Sequence, residues 1–145
     1  MPDDDAGSVA RRSADAMYAA DAASRALGIT LEDVVPGRAT ARMRVTAQML
    51  NGHAIAHGGY VFLLADTAFA FACNTHAPTV AGAAEIVFVR PGREGDELVA
   101  EARERVSFGR NGVYDVTVRG SGGEVIAEFR GHSRRLGTAT SRRSP

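Results

Sequence analysis

The chain has almost no cysteine, no surplus of either charge and no hydrophobic run long enough to cross a bilayer. Cys73 stands alone among 145 residues, which excludes an intrachain disulfide and the stapled scaffolds of small secreted proteins. Seventeen Lys+Arg balance seventeen Asp+Glu, and a formal net charge of zero argues against a general electrostatic surface for nucleic acid. The most apolar stretch, Tyr60 to Asn74, falls short of the ~20 residues that span a bilayer. The opening residues Met1-Pro2-Asp3-Asp4-Asp5 carry neither the basic nor the apolar region of a signal peptide. No internal repeat and no second domain is visible. With 45% hydrophobic and 23% charged residues, an ordinary globular composition, the expectation is one reduced, cytoplasmic domain with no membrane or nucleic-acid partner.

The pattern along the chain predicts α+β architecture. Residues 1–9 read as a disordered N-terminus, 10–136 as one domain and 137–145 as a flexible tail. Alanine-rich sequence from Ala10 to Leu27, closed by Gly28, predicts a first helix. A short strand follows over Ile29–Val35. Ala39 to Thr46 alternates apolar and polar side chains, the period of a strand with one face on a core. After a loop from Gln48 to Gly59, the run Tyr60–Asn74 predicts a helix apolar on every side and therefore buried. Four more strands are expected at Ala83–Val89, Leu98–Phe108, Val113–Arg119 and Val125–Arg134, between turn signals. An antiparallel sheet of five or six strands curled around the central helix buries that helix most simply. Such a sheet leaves an edge open, so a paired subunit is expected.

Asp66 is the strongest chemical signal. A lone carboxylate in a buried apolar helix is costly unless it is paired or used, and its pKa tends to rise. The structural alternative is an aspartate bonded to backbone or to an arginine from elsewhere. The second signal is His57-Gly58-Gly59 at the start of the same helix. Glycines there leave the first N–H groups unobstructed, where the helix dipole favours an oxyanion or a polarised carbonyl. The bland alternative is a loop needing positive φ. His57 is either an acid/base group or an orienting one, and with no cysteine or serine nucleophile evident beside it the orienting role is favoured. Asn51 either bonds a substrate or pins the loop. His53, His57, Asp66 and His76 match no metal-ligand spacing, and Cys73 reads as a small buried hydrophobe. Phe62, Phe69 and Phe71 offer aromatic surface but read more readily as core. Gly58 and Asp66 are eight residues apart, or ~12 Å along a helix, too far to serve one carbonyl from one chain. Two chains with antiparallel central helices would bring Gly58 of one toward Asp66 of the other.

The run Asn51-Gly52-His53-Ala54-Ile55-Ala56-His57-Gly58-Gly59, followed by Leu64-Ala65-Asp66-Thr67-Ala68, resembles the hotdog-fold thioesterases of the phenylacetate-degradation (PaaI-type) family. The likeness continues through Phe88-Val89-Arg90-Pro91-Gly92, Gly112-Val113-Tyr114-Asp115-Val116 and Phe129-Arg130-Gly131. It implies a hotdog fold, a homodimer whose sheets join edge to edge, often doubled to a tetramer, and hydrolysis of acyl-coenzyme A thioesters. Asp66 would then be the catalytic carboxylate, as general base or nucleophile, and the Gly58 N–H the group that polarises the thioester carbonyl. Asn51 and His57 would shape the pocket from the partner subunit, Thr67 would help place water, and Gly59, Arg90 and Arg110 would meet the substrate, the arginines through its phosphates. No metal or redox cofactor is needed, coenzyme A being part of substrate and product. The family points to phenylacetyl- or hydroxyphenylacetyl-coenzyme A. Two other readings compete: a hotdog hydratase or dehydratase with His57 moving a proton at carbon, and a non-catalytic acyl-coenzyme A sensor.

Overall fold

In a computed structural model, residues 5–137 are described. The helix expected at Ala10–Leu27 is two helices, α1 (Ala6–Ala20) and α2 (Ala22–Ala26). Asp21 divides them. It ends α1, and its carboxylate accepts the Ser24 N–H at 3.0 Å to begin α2. Gly28, with φ of 70°, turns the chain out as expected. The disordered N-terminus expected over 1–9 is corrected from Asp5 onward. Asp5 caps α1 by accepting the Ser8 N–H at 2.7 Å, so an acidic, small-residue segment that looked structureless becomes a first turn. Residues 1–4 and 138–145, most of the expected tail, lie outside the described residues.

Strands β1 (Thr30–Val35), β2 (Arg38–Arg44), β3 (Thr79–Phe88), β4 (Glu97–Phe108), β5 (Asn111–Arg119) and β6 (Val125–Arg135) form one sheet in the order β1-β2-β4-β5-β6-β3. Every pairing is antiparallel. Between β2 and β4 the chain runs through α3 (Gly58–Cys73), lays β3 on the far edge and returns to the centre. The two edges are therefore β1 and β3.

The period-2 pattern does what it promised. Ala39, Ala41, Met43 and Val45 are buried and their neighbours are not, and Tyr114, Val116 and Val118 do the same on β5. These faces close over α3. Phe69 is fully buried, its ring centroid 5.6 Å from that of Tyr114 and 5.7 Å from that of Phe129. Burying one such ring is worth about 1.5–3 kcal/mol. The approach needs Gly131, because a Cβ there would sit 2.7 Å from the Phe69 ring. Phe71 is equally internal, so Phe69 and Phe71 are core, while the partly buried Phe62 packs edge-on against Phe129 at 5.4 Å. Cys73 is also buried, which pushes its thiol up to about 12.

One expectation about α3 is corrected. Gly59, Phe62, Leu63, Asp66 and Ala70, spaced i, i+3, i+4, i+7 and i+11, stay partly open. The sheet together with α1 and α2 covers the rest of the helix, through contacts such as Ser24–Thr67 and Tyr18–Phe71, and this stripe stays open.

Candidate active site

The first turn of a helix presents four N–H groups with no intrahelical acceptor. At the start of α3 three are satisfied: the N-cap His57 N–H donates to the Met49 carbonyl at 2.8 Å, the Gly59 N–H to His57 Nδ1 at 3.0 Å and the Tyr60 N–H to the His57 carbonyl at 3.0 Å, which also accepts the first i→i−4 bond, from Val61 at 3.4 Å. The fourth, on Gly58, has no hydrogen-bond partner among the described residues. It borders a cavity of about 340 Å³ lined chiefly by apolar groups: Ile55, Ala56, Val61, Phe88, Val89, Pro91 and Gly92, with Asn51 and Arg90 as the polar members.

The loop before α3 is held rigidly. Ala56 N–H donates to the Gly92 carbonyl and His57 N–H to that of Met49, each at 2.8 Å. Asn51 pins the loop from within. Its Oδ1 accepts the His53 N–H at 2.9 Å and that of Ile55 at 3.4 Å, and the backbone N–H of Asn51 donates to the Ile55 carbonyl at 2.8 Å. That leaves the Asn51 amide nitrogen without a partner among the described residues, on the cavity wall. Both roles considered for Asn51 are thus compatible. The positive-φ alternative for the glycine pair is corrected. The left-handed residue in this loop is Ala54, at φ 60°, and neither Gly58 nor Gly59 is left-handed. Gly58 is small for a different reason, since a Cβ there would lie 3.0 Å from the Phe88 ring.

Asp66 lies two turns along α3 on the open stripe. It is half-buried, and its carboxylate has neither a hydrogen bond nor an ion pair among the described residues. Burial pushes its carboxyl above the usual carboxylate range. No arginine neutralises it there. It does not line the cavity at Gly58, and the separation of ~12 Å along the helix stands within one chain.

Other expected site residues fall elsewhere. Thr67 is turned inward, 94% buried, with its hydroxyl 3.1 Å from that of Ser24 on α2; a helix rotates each successive side chain by about 100°, so Thr67 cannot share the outlook of Asp66. Gly59 has committed its N–H to His57 and has no place in the cavity wall. His57 is likewise outside that wall and acts on the loop and helix start. Arg90 does border the cavity, its Nη1 donating to the Val125 carbonyl at 3.1 Å. Arg110 is at the opposite end of α3, in a small cleft with Cys73, and one chain does not bring it to Gly58. The residues missed by sequence reasoning are Phe88, Ile55 and Val61. The signal for Phe88 was a large apolar side chain at the last position of a strand, directly before Val89-Arg90-Pro91-Gly92.

A family model of the thioesterase superfamily matches residues 53–127, from the loop before α3 into β6. The chain is 48% identical over 127 residues to the acyl-coenzyme A thioesterase PaaI of Escherichia coli (strain K12), covering 87% of this chain and 91% of that one. The chain belongs to the thioesterase superfamily. The solved structure of the E. coli PaaI protein from the phenylacetic acid degradation operon superposes with a TM-score of 0.90 at 46% identity, over 92% of this chain and 97% of that one. A mutant of the phenylacetic acid degradation protein PaaI from Thermus thermophilus gives a TM-score of 0.76 at 37% identity, over 78% and 97%. The six-stranded sheet curled around α3 is therefore the hotdog fold, and the resemblance read from the Asn51–Ala68 motifs is a family relationship. No helix among the described residues is long and apolar enough to cross a membrane.

Proposed function

We propose that this thioesterase hydrolyses acyl-coenzyme A thioesters, with arylacetyl esters such as phenylacetyl- and hydroxyphenylacetyl-coenzyme A as the preferred class. The observation that carries the reading is the unpaired Gly58 N–H, opening at a helix N-terminus into an apolar cavity. A thioester carbonyl oxygen fits there, and the charge it gains on attack is stabilised by that donor and by the helix dipole. The acyl-coenzyme A and phenylacetic acid assignments carried by the E. coli and Thermus relatives support the substrate class.

The general base or nucleophile is assigned to Asp66 of a second chain. A carboxylate whose pKa is raised by burial is a better base than a solvated one, and the open stripe on α3 that carries it awaits a partner. With β3 of two copies paired, antiparallel α3 helices bring Asp66 of one toward Gly58 of the other, giving two equivalent sites per dimer. In the general-base route Asp66 takes a proton from water as the water oxygen bonds to the carbonyl carbon. The C–S bond then breaks, and the proton passes to the departing coenzyme A sulfur. In the nucleophilic route the carboxylate bonds to the carbonyl carbon as the C–S bond breaks and coenzyme A leaves as the thiolate, which takes up a proton; water then cleaves the anhydride to the free acid and regenerates the carboxylate. Either route yields a free acid and a free thiol.

Trapping of released thiol from an acyl-coenzyme A panel tests the proposal. Wild type should release thiol from arylacetyl esters, and Asp66→Ala should lower kcat by a factor on the order of 10²–10⁴. The acid limb of the wild-type profile should lie above the ordinary carboxylate range, since activity needs Asp66 ionised. Equal rates in the two proteins would reject the assignment of Asp66. Hydration of an enoyl ester without thiol release would instead favour the hydratase reading.

A further inference from the structure

Phe88 closes β3 at the mouth of the cavity, and its placement is unusual for a large ring. The residue is 53% exposed, and it has no aromatic ring contact among the described residues. Even so, its ring tip reaches the first residue of α3. Atoms Cζ, Cε1 and Cε2 stand 3.0, 3.3 and 3.5 Å from where a Cβ on Gly58 would be. The ring therefore sits end-on over Gly58, beside the one unpaired N–H of the helix start.

A carbonyl oxygen bonded to that N–H lies ~2.9 Å from the nitrogen. The Phe88 ring tip then lies within contact reach of the groups attached to the carbonyl carbon. The other apolar walls are less able to adapt. Val61 is held in the helix and 98% buried, Pro91 is rigid, and Ile55 is tied into the Asn51 loop. Among the described residues Phe88 is the sole aromatic member of the cavity wall, and it is more exposed than its neighbour Val89.

We propose that Phe88 selects the acyl group. Its ring packs against an aryl group one carbon away from the carbonyl, and its bulk bars acyl groups branched at that carbon. The proposal rests on the thioesterase reading of the same cavity. Ring–ring contact supplies the aryl preference, because offset or edge-on aromatic pairs gain stability beyond their buried area. Steric exclusion beside Gly58 supplies the discrimination against branching. The two effects are separable, since leucine keeps much of the bulk and none of the ring.

The test compares kcat/KM for phenylacetyl-, hexanoyl- and 2-methylpropanoyl-coenzyme A in wild type, Phe88→Leu and Phe88→Ala. Both substitutions should lower the phenylacetyl-to-hexanoyl ratio about three- to tenfold. Phe88→Ala alone should raise the 2-methylpropanoyl-to-hexanoyl ratio by about tenfold, the scale of one methyl group in a fitted pocket. Affinities for non-hydrolysable phenylethyl and hexyl thioethers of coenzyme A give a second readout, in which the phenylethyl preference should fall in both variants. A uniform loss on every ester, or ratios unchanged in both assays, would overturn the assignment of Phe88. Were wild type to cleave none of the esters, the thioesterase reading would fall, and the thioether affinity ratios would still decide whether Phe88 selects aryl groups.

Discussion

The two edges of the sheet could hardly be treated more differently. At one edge β1 is six residues long and its register breaks between Glu32 and Val35, with Asp33 forced to φ 53°. It carries two acidic side chains in a row, Arg42 ties Glu32 down at 2.8 Å, and α1 packs alongside. A bulge, charge and a covering helix are the devices that stop a strand from pairing further. At the other edge β3 runs for ten residues with Glu85 as its only formal charge, and Val80, Val87 and Phe88 stand exposed. One edge is closed and the other is left able to pair. The open edge is also the strand whose end supplies Phe88 and leads into Arg90, so the open edge and the cavity wall meet in one element.

The same charge placed on each edge should act very differently at the two. Ala84→Glu adds a charge to the middle of β3, so that a two-fold pairing of β3 with β3 would carry like charges on both strands. If each site is shared between two chains as proposed, it should leave a folded monomer with activity lowered by a factor on the order of 10²–10⁴. Val35→Glu on the closed edge should leave sedimentation and turnover near wild type. Equal tolerance of both changes would remove the distinction between the edges.

A second substitution sharpens the role of the helix start. Gly58 is the first residue of α3, and His57 before it has φ −60° and ψ 134°, a conformation compatible with a following proline. Gly58→Pro therefore deletes the N–H and keeps the helix, provided the exposed Phe88 ring swings aside. Loss of one oxyanion donor should lower kcat by a factor on the order of 10²–10³ with the melting temperature little changed. Wild-type turnover in this variant would show that the N–H is idle.

The smallest effect concerns stability. Burial raises the Asp66 pKa in the folded chain, so folding disfavours its ionised form. That penalty is present at neutral pH and disappears as pH falls through the folded-state value. Asp66→Asn should therefore raise the neutral-pH melting temperature slightly, with the gain vanishing in acid, while activity is lost. A lower melting temperature at neutral pH would mean that the carboxylate serves the fold.

Much of this architecture was legible because it rests on periodicity. The alternation of Ala39 to Val45 and of Tyr114 to Val118 marks the faces that cover α3, and strand ends fall within a few residues of expectation. What failed to show has physical reasons. Asp5 and Asp21 act through single cap hydrogen bonds, invisible in an average of composition. The apolar run in β3 looks like a buried strand, yet it is an exposed edge, since hydrophobicity does not say which molecule covers a face. In the candidate site, Asp66 and the Gly58 turn stood out as a charge and a glycine pair out of place. Thr67 misled because adjacency in sequence on a helix is not adjacency in space, and Phe88 escaped notice because nothing in its own type marks a cavity wall.

Mixed dimers show whether each site is built from two chains. Asp66→Ala and Gly58→Pro chains, each inactive alone, are combined and their heterodimers verified by mass. In a heterodimer one site regains both groups and the other has neither, so random mixing should restore about a quarter of wild-type activity. Verified heterodimers as inactive as their parents would contradict the account.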